Sequence, residues 1–418
     1  MPVIPHCQHP VAPADPGTGR SNRSRRIGLL AVLLGAGLLA GCGGGSDQGP
    51  VKLSGGVPVG AVLALTGNAN VYGQNQKTGL ELALAEINGS GGINGTPVAL
   101  TLEDGGSDEA SASSAFTLQI RRGVLALIGP TLSQQAFAAD PIAQRLGVPV
   151  VAPSNTATGI PQLGSFISRV SAQSSVIAPL SISRALQLNP AIRRAAVFYA
   201  NDDAYSTAET TIFQKALTDQ GLKPVTVQRT QLNDQDFQTQ ITAALQQKPD
   251  LIVMSLQAVD GGNMIRQLRE LGYKGMIVVG NGMNTPNIYP ICQKYCDGIL
   301  IAQAYSPELS TPANNSFLKR FKASGESAEP PQLTAQAYTA LQVISEALRR
   351  LDKHSPLRST PLAEARKGLM KELLAGTYQT PLGEIRFTPE GEVIQKQFYV
   401  AQVRMNPDGR SGRFALLP

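Results

Sequence analysis

The sequence predicts an α/β protein with two lobes, each built on a doubly wound parallel sheet. Short apolar, β-branched runs recur along the 418 residues, and segments with helical periodicity lie between them. Strands and helices that alternate at this spacing are typical of parallel sheets covered on both faces. About eight such units are too many for one small open sheet, and the chain is long enough for two domains. The predicted strands are 57–65, 98–102, 124–128, 148–152, 194–199, 225–229, 251–255 and 276–279.

The helical periodicity between these strands places the break between the two lobes. One series of units ends near 167–170, and a helix then begins the second series. After residue 300 the pattern becomes mainly helical and ends in a hairpin-like segment over 385–391. The predicted helices are 73–88, 108–121, 134–146, 174–186, 204–220, 237–246, 262–271, 314–323, 335–351 and 362–374.

The composition excludes several classes of protein. Hydrophobic residues make up 42% of the chain and charged residues 16%, which fits a packed core and not a disordered chain or a coiled coil. Four arginines and one aspartate in the first 41 residues supply half of the net charge of +6. Beyond them no run of lysine and arginine exceeds two or three residues, so nucleic-acid binding is disfavoured.

The amino terminus has the pattern of an export signal. Basic residues at 20–26 precede an apolar stretch at 27–39, which is too short to span a bilayer. The stretch ends in Leu39-Ala40-Gly41-Cys42, which resembles the lipobox of bacterial lipoproteins. We therefore expect a signal peptide over 1–41, a lipid anchor on Cys42, a flexible tether over 42–56, and a place in the bacterial cell envelope facing the periplasm or exterior. An ordinary secretory signal with a chance cysteine is the alternative.

Histidine and cysteine usage limits the chemistry. His354 is the only histidine after the predicted signal, so a multi-histidine metal site is excluded, and we expect no metal and no cofactor. Cys292 and Cys296 remain after the anchor, and a lone pair in an oxidising compartment usually forms a disulfide. On a regular helix this spacing holds the β-carbons too far apart, so we expect the helix to end there.

The loops after the predicted strands are rich in small polar residues. They cover 66–73, 129–133 and 153–156, and none carries a G-x-G-x-x-G or a phosphate-binding lysine motif. Ligands of such sheets lie beyond the carboxyl ends of the strands, where hydroxyls and free amides suit a carboxylate. Taken singly, each serine or threonine is more typical of a helix cap or a turn than of a ligand contact.

The motifs of these loops, taken in order, resemble a known family. Segments 60–67, 72–95, 128–133 and 147–156 are similar to the first lobe of the substrate-binding proteins of branched-chain amino acid ABC transporters, which have the type I periplasmic binding fold. The second lobe of that family is resembled at 202–205, 250–252 and 266–273. The resemblance covers about 57–405.

This resemblance implies two lobes joined by three crossovers, with a solute held between them. We place the crossovers near Arg169, Ala304 and Gly383. The amino-terminal lobe is then 57–169 plus 305–383, and the carboxy-terminal lobe is 170–304 plus 384–418.

The resemblance also implies ligand contacts at matching positions. Tyr72 corresponds to an aromatic residue that covers the ligand, and Tyr205 to one that closes over it from the second lobe. Gln257 stands where the family often has an aromatic residue, and Asn281 stands where amino-acid-binding members commonly carry an acid for the ligand ammonium. The groups expected to hold a ligand carboxylate are Ser133, Asn155 and Thr156.

The implied function is capture of a small amino-acid-like solute and its delivery to the permease of an ABC transporter, by a monomer that is not an enzyme. Because Asn281 is neutral, an amino acid held differently remains open beside a carboxylate, an amide or an aromatic acid without an ammonium. A sensor that presents its solute to a membrane receptor would share the fold and the chemistry.

Overall fold

The first sheet has five parallel strands in the order β2-β1-β3-β4-β5. The computed structural model describes residues 49–325 and 329–418, so the predicted signal peptide and Cys42 lie outside the described residues. Strand β1 presents Val59, Ala61 and Leu63 to one core and Val62 to the core on the opposite face, as a doubly covered sheet requires. The elements are β1 Val57–Leu63, α1 Asn70–Gly89, β2 Val98–Asp104, α2 Glu109–Arg121, β3 Ala126–Ile128, α3 Ser133–Arg145, β4 Val150–Ala152 and β5 Ile167–Arg169.

The second sheet has seven strands in the order β15-β14-β10-β9-β8-β6-β7. Strands β6 to β10 are parallel, and β14 and β15 extend the sheet antiparallel. The elements are α4 Ser174–Leu188, β6 Ala195–Ala200, α5 Ala204–Asp219, β7 Thr226–Thr230, α6 Gln238–Gln246, β8 Leu251–Ser255, α7 Ala258–Glu270, β9 Met276–Val279, α8 Tyr289–Cys292, β10 Leu300–Gln303, β14 Tyr399–Met405 and β15 Gly412–Leu416.

The segment between β10 and β14 returns to the first sheet. Helix α10 packs along α1, and a β-carbon at Gly79 would overlap the carbonyl of Thr334, so glycine allows this close approach. Side chains of α10, α11 and β12 share a hydrophobic core with β1. The elements are α9 Pro312–Ala323, α10 Gln332–His354, α11 Leu362–Ala375, β11 Tyr378–Thr380, β12 Gly383–Phe387 and β13 Val393–Gln395.

We use first lobe for the first sheet with α1–α3, α9–α11 and β11–β13, and second lobe for the second sheet with its helices. The sequence places the third crossover near Gly383, but Ile385 and Phe387 still pack in the core of the first lobe. The chain therefore passes to the second lobe between β13 and β14. Strands β12 and β13 pair antiparallel across residues 388–392, which confirms the predicted hairpin.

A buried ion pair lies at the first crossover. The Arg169 guanidinium donates to both carboxylate oxygens of Glu392, each at 2.8 Å, and to the carbonyls of Asn155 and Ala157 at 3.1 and 2.7 Å. Arg169 thus fixes the loop that follows β4. Among the described residues, no helix is long and apolar enough to cross a membrane.

Candidate functional site

Residues from both lobes line one cavity, and its empty space of about 370 Å³ includes a part that is open to solvent. The first lobe contributes the start of α1, the loop after β3 with the start of α3, and the loop after β4, all at the carboxyl ends of parallel strands, together with the start of α10. The second lobe contributes the start of α5, the residue before α7 and the loop after β9. The lining residues are Tyr72, Thr131, Leu132, Ser133, Ser154, Thr156, Tyr205, Gln257, Asn281, Gly282 and Leu333.

Tyr72 joins the two lobes across this cavity. Its hydroxyl donates to the carbonyl of Gly282 and accepts from the amide of Ala258, each at 2.6 Å. Burial raises the pKa of Tyr72 far above its ordinary value, so the hydroxyl keeps the proton that it donates. The next residue is Gly73, where a β-carbon would overlap the carbonyl of Ala64, and this close contact holds α1 against β1.

Other contacts across the cleft agree with a closed arrangement. The Asn75 amide donates to the hydroxyl of Thr285 at 3.3 Å, and the Asn287 amide donates to the carbonyl of Val71 at 3.4 Å. Leu132 and Leu333 of the first lobe belong to the same hydrophobic cluster as the second sheet. The lobes therefore meet through polar and apolar contacts around the cavity.

The first-lobe wall contains two sets of hydroxyls with different roles. Ser154 and Thr131 are engaged with each other and with Gln76, because Ser154 donates to the Thr131 carbonyl at 2.6 Å and Thr131 donates to Gln76 Oε1 at 2.6 Å. The Thr156 hydroxyl has no partner among the described residues, and Ser133 Oγ accepts one long hydrogen bond from Ala157, at 3.4 Å. Ser133 and Thr156 are therefore the hydroxyls free to bind a solute.

The first-lobe wall also includes the start of helix α3. Ser133 is the first residue of α3, and the first amides of a helix lack intrahelical partners. An anion next to such amides is stabilised by their positive dipole ends. The wall thus offers two hydroxyls and a helix amino terminus to a carboxylate.

Asn155 does not line the cavity, although the sequence places it with Ser133 and Thr156. Its amide donates to the carbonyls of Pro130 and Thr131 at 3.1 Å each, and the residue is 1% exposed. Its neighbours Ser154 and Thr156 both line the cavity. Asn155 therefore supports the loop from behind the cavity wall.

The second-lobe wall brings together Tyr205, Gln257 and Asn281. The Gln257 amide donates to Asp203 Oδ2 at 2.9 Å, and Asp203 caps α5 by accepting from the amide of Tyr205 at 3.2 Å. Asn281 Oδ1 accepts from the Gln332 amide at 3.0 Å. Six of the seven sequence-predicted residues therefore face one cavity.

Glu209 lies directly behind this wall and was not singled out by the sequence analysis. It is 1% exposed, and its carboxylate accepts from the Tyr205 hydroxyl at 2.5 Å and from the backbone amide of Asn281 at 3.1 Å. Burial raises the pKa of Glu209 to about 7. Tyr205 and Glu209 are four residues apart on α5 and share a helix face, which is the signal that could have found it.

Two aspartates lie near the same wall. Burial raises the pKa of Asp203 and of Asp260 to about 6. Asp260 lines a neighbouring cavity with Tyr72 and Gln257, and its carboxylate accepts from the amide of Asn233 at 3.2 Å. Among the described residues, no group of three or more His, Cys, Asp and Glu is arranged to hold a metal ion.

Cys292 and Cys296 are joined in a disulfide, with their Cα atoms 5.4 Å apart. Helix α8 ends at Cys292, and a 3₁₀ turn follows. Both cysteines are buried in the core of the second lobe. The disulfide therefore joins the end of α8 to the end of the 3₁₀ turn that follows it.

Comparison with known proteins identifies the family. The family described as periplasmic binding protein matches residues 56–410. The Leu/Ile/Val-binding protein BraC3 of Rhizobium johnstonii is 25% identical over 344 residues, which cover 82% of this chain and 90% of BraC3.

Solved structures agree with this family. The leucine binding protein LivK of Thermotoga maritima has a TM-score of 0.76 and 26% identity, covering 86% of this chain and 98% of LivK. A solute binding protein of R. palustris in complex with benzoate shares the fold, with a TM-score of 0.75, 20% identity, and coverage of 87% of this chain and 96% of that chain. The resemblance drawn from the sequence is confirmed, and the chain belongs to the periplasmic binding protein family.

Proposed function

We propose that this protein captures a small amino-acid-like solute in the cleft between its lobes and delivers it to the permease of an ABC transporter. The observation that carries the proposal is the cavity itself, because polar side chains of both lobes converge on it and Tyr72 links the lobes beside it.

The first-lobe wall is the proposed binding site for the carboxylate of the solute. Ser133 and Thr156 would donate their hydroxyl protons, and the first amides of α3 would add charge-assisted hydrogen bonds. This wall acts on any carboxylate and does not depend on the rest of the solute. It gives the affinity that amino acids and simple organic acids share.

The remaining walls are apolar enough to hold a hydrocarbon side chain. Leu132, Leu333 and the rings of Tyr72 and Tyr205 line the cavity, and apolar burial contributes about 25 cal/mol per Å². BraC3 and LivK, whose names state branched-chain amino acids, support a solute of this kind.

Closure would couple binding to delivery. Groups on both lobes contact the solute only when the lobes are together, so the solute shifts the equilibrium toward the closed form. A shift from mostly open to mostly closed needs a preference of about 5 kcal/mol, which a few charge-assisted hydrogen bonds supply. The closed protein, held at the membrane by a lipid on Cys42, would then dock on the permease.

A carboxylate without an ammonium, such as an aromatic acid, is the second candidate. Among the described residues, no aspartate or glutamate lines the cavity, and two tyrosine rings do. The R. palustris protein that holds benzoate has the same fold.

Mass spectrometry of small molecules that copurify with the protein tests the proposal, together with thermal unfolding in the presence of amino acids and organic acids. A specific solute raises the midpoint of unfolding by mass action. We expect leucine-like amino acids to give the largest rise. A solute that is chemically converted during incubation would contradict the proposal, because the protein would then be an enzyme.

A further inference from the structure

Glu209 is a fully buried carboxylate whose described partners are all neutral. Besides Tyr205 and the Asn281 amide, it accepts from the Ser174 hydroxyl at 3.1 Å. None of the ion pairs among the described residues includes it. A buried negative charge without a cation is costly, so its position directly behind the cavity wall requires a reason.

The loop after β9 is shaped to admit this carboxylate. A β-carbon at Gly280 would overlap Glu209 Oε2, and one at Gly282 would lie 2.7 Å from the Tyr205 ring. Glycine at both positions lets the loop close over Glu209 and Tyr205. The negative charge is thus held beside Asn281, which stands where amino-acid-binding members of the resembled family commonly carry an acid.

The hydrogen bonds of Tyr205 determine what its oxygen offers to the cavity. An ionised carboxylate only accepts, so the Tyr205 hydroxyl donates its single proton to Glu209. The amide of Gly282 donates to the same oxygen at 2.6 Å. The oxygen retains one lone pair and has no proton left to give, so a solute group that meets it must be a donor.

Asn281 presents a second acceptor, and its orientation is fixed by Gln332. Gln332 Oε1 accepts from the backbone amide of Ala304 at 2.7 Å, so the amide nitrogen of Gln332 must face Asn281. Asn281 therefore directs Oδ1 toward Gln332. A carbonyl oxygen has two lone pairs, so Asn281 Oδ1 can accept one further hydrogen bond.

We propose that Glu209 is the counter-charge of a solute ammonium, acting through the Tyr205 hydroxyl, and that it makes the site selective for amino acids over carboxylates without an ammonium. The inference rests on the proposed function and narrows its solute class. Glu209 is a positioning residue, because Tyr205 and Asn281 line the cavity and Glu209 does not. Its charge strengthens the Tyr205 oxygen as an acceptor and offsets the ammonium charge.

The test compares leucine with 4-methylpentanoate, which has the same carbon skeleton without the ammonium. Calorimetry at pH 8 measures both affinities for the wild type and for Glu209→Gln, which keeps the shape but removes the charge. We expect leucine to bind the variant at least tenfold more weakly and 4-methylpentanoate to bind it equally well or better. Glu346→Gln is the matched control, since Glu346 is a half-buried glutamate on α10 that does not line the cavity.

A pH titration of the wild type keeps the inference testable if the variant does not fold. The groups that face Glu209 are Tyr205 on its own helix, Ser174 on α4, Ser255 on β8 and the Asn281 amide. Only Tyr205 titrates among them, and burial raises its pKa well above the ordinary value. We expect the preference for leucine over 4-methylpentanoate to fall about tenfold per pH unit below pH 7, as Glu209 takes up a proton.

The outcomes separate the inference from the proposed function. Equal losses of both ligands in Glu209→Gln, or a leucine preference that does not change with pH, would overturn the role of Glu209. Wild-type binding of 4-methylpentanoate or benzoate as tight as that of leucine would also overturn it, while capture of a carboxylate in the cleft would stand. Failure of all three to bind the wild type would overturn both.

Discussion

The two walls of the cleft differ in the charged groups that lie behind them. The first-lobe wall is neutral, and its groups are hydroxyls, amides and the start of α3, with Ser154 and Thr131 already satisfied by Gln76. The second-lobe wall presents neutral side chains too, but Glu209 and Asp203 lie behind Tyr205 and Gln257. One wall is therefore suited to an anion, and the other is biased toward a cation. A zwitterion satisfies both walls at once.

The largest expected effect concerns what holds the first-lobe wall in place. Arg169→Met would leave Glu392 buried without its partner and release the carbonyls of Asn155 and Ala157, so we expect a loss of about 3–5 kcal/mol in the free energy of unfolding. Urea unfolding measures it. The control is Arg122→Met, which breaks an exposed ion pair with Glu103 and should cost at most about 1 kcal/mol. Equal losses would show that the buried pair does not hold this loop.

The pH dependence of stability should come from the second-lobe wall. The pKa of Glu209 is about 7 in the folded protein and about 4.3 when unfolded, so the folded state binds more protons between these values. The stability that protonated Glu209 contributes at low pH is then lost as the pH rises through 7. The raised pKa values of Asp203 and Asp260 make stability fall with rising pH in the same way. We expect the free energy of unfolding without solute to fall by about 2–3 kcal/mol between pH 5 and 8 from Glu209 alone.

Urea unfolding of wild type and Glu209→Gln across this range measures that slope. The variant should lose most of the Glu209 contribution. An unchanged slope in the variant would mean that the second wall is not the source of the pH response.

Removing the hydroxyl of Tyr72 tests the contact that it makes between the two walls. Tyr72→Phe leaves the Gly282 carbonyl and the Ala258 amide without their partner, at a cost of about 1–3 kcal/mol. Because those bonds exist only when the lobes meet, we expect solute affinity to fall about tenfold to a hundredfold. Calorimetry with leucine measures the change, and Tyr399→Phe, on strand β14 away from the cavity lining, is the control. Unaltered affinity would mean that Tyr72 does not stabilise closure.

Ser133→Ala should have the smallest effect and should not discriminate between ligands. The loss of one neutral donor costs about 0.5–1.5 kcal/mol, and leucine and 4-methylpentanoate should weaken by the same factor. Ser324→Ala, after α9, is the surface control. If only leucine weakened, Ser133 would contact the ammonium and the assignment of the two walls would be reversed.

Much of the fold was predictable because periodicity identifies long or fully buried elements. Strands β8 and β9 begin and end where the apolar runs do. Strand β10, Leu300–Gln303, and strand β14, Tyr399–Met405, were not among the predicted strands. Their identity as strands depends on pairing with β9 and with each other, which a local pattern does not contain.

The site was predictable at strand ends and less so behind them. Tyr72, Ser133, Thr156 and Tyr205 follow or adjoin strand ends, so topology alone brings them together. Glu209 lies one helical turn beyond Tyr205, and its function depends on which way that helix face points. The rule that ligands lie beyond the carboxyl ends of strands locates a loop, but not the side of the backbone from which each side chain extends. It therefore could not separate Thr156 from Asn155.

The proposed function depends on capture of a solute by closure of the two lobes. Small-angle X-ray scattering of the protein, with and without a solute whose binding calorimetry has established, tests it most directly. We expect a smaller radius of gyration when leucine is bound, and a weaker compaction at equal leucine concentration for Tyr72→Phe. Bound leucine with unchanged dimensions would contradict capture by closure.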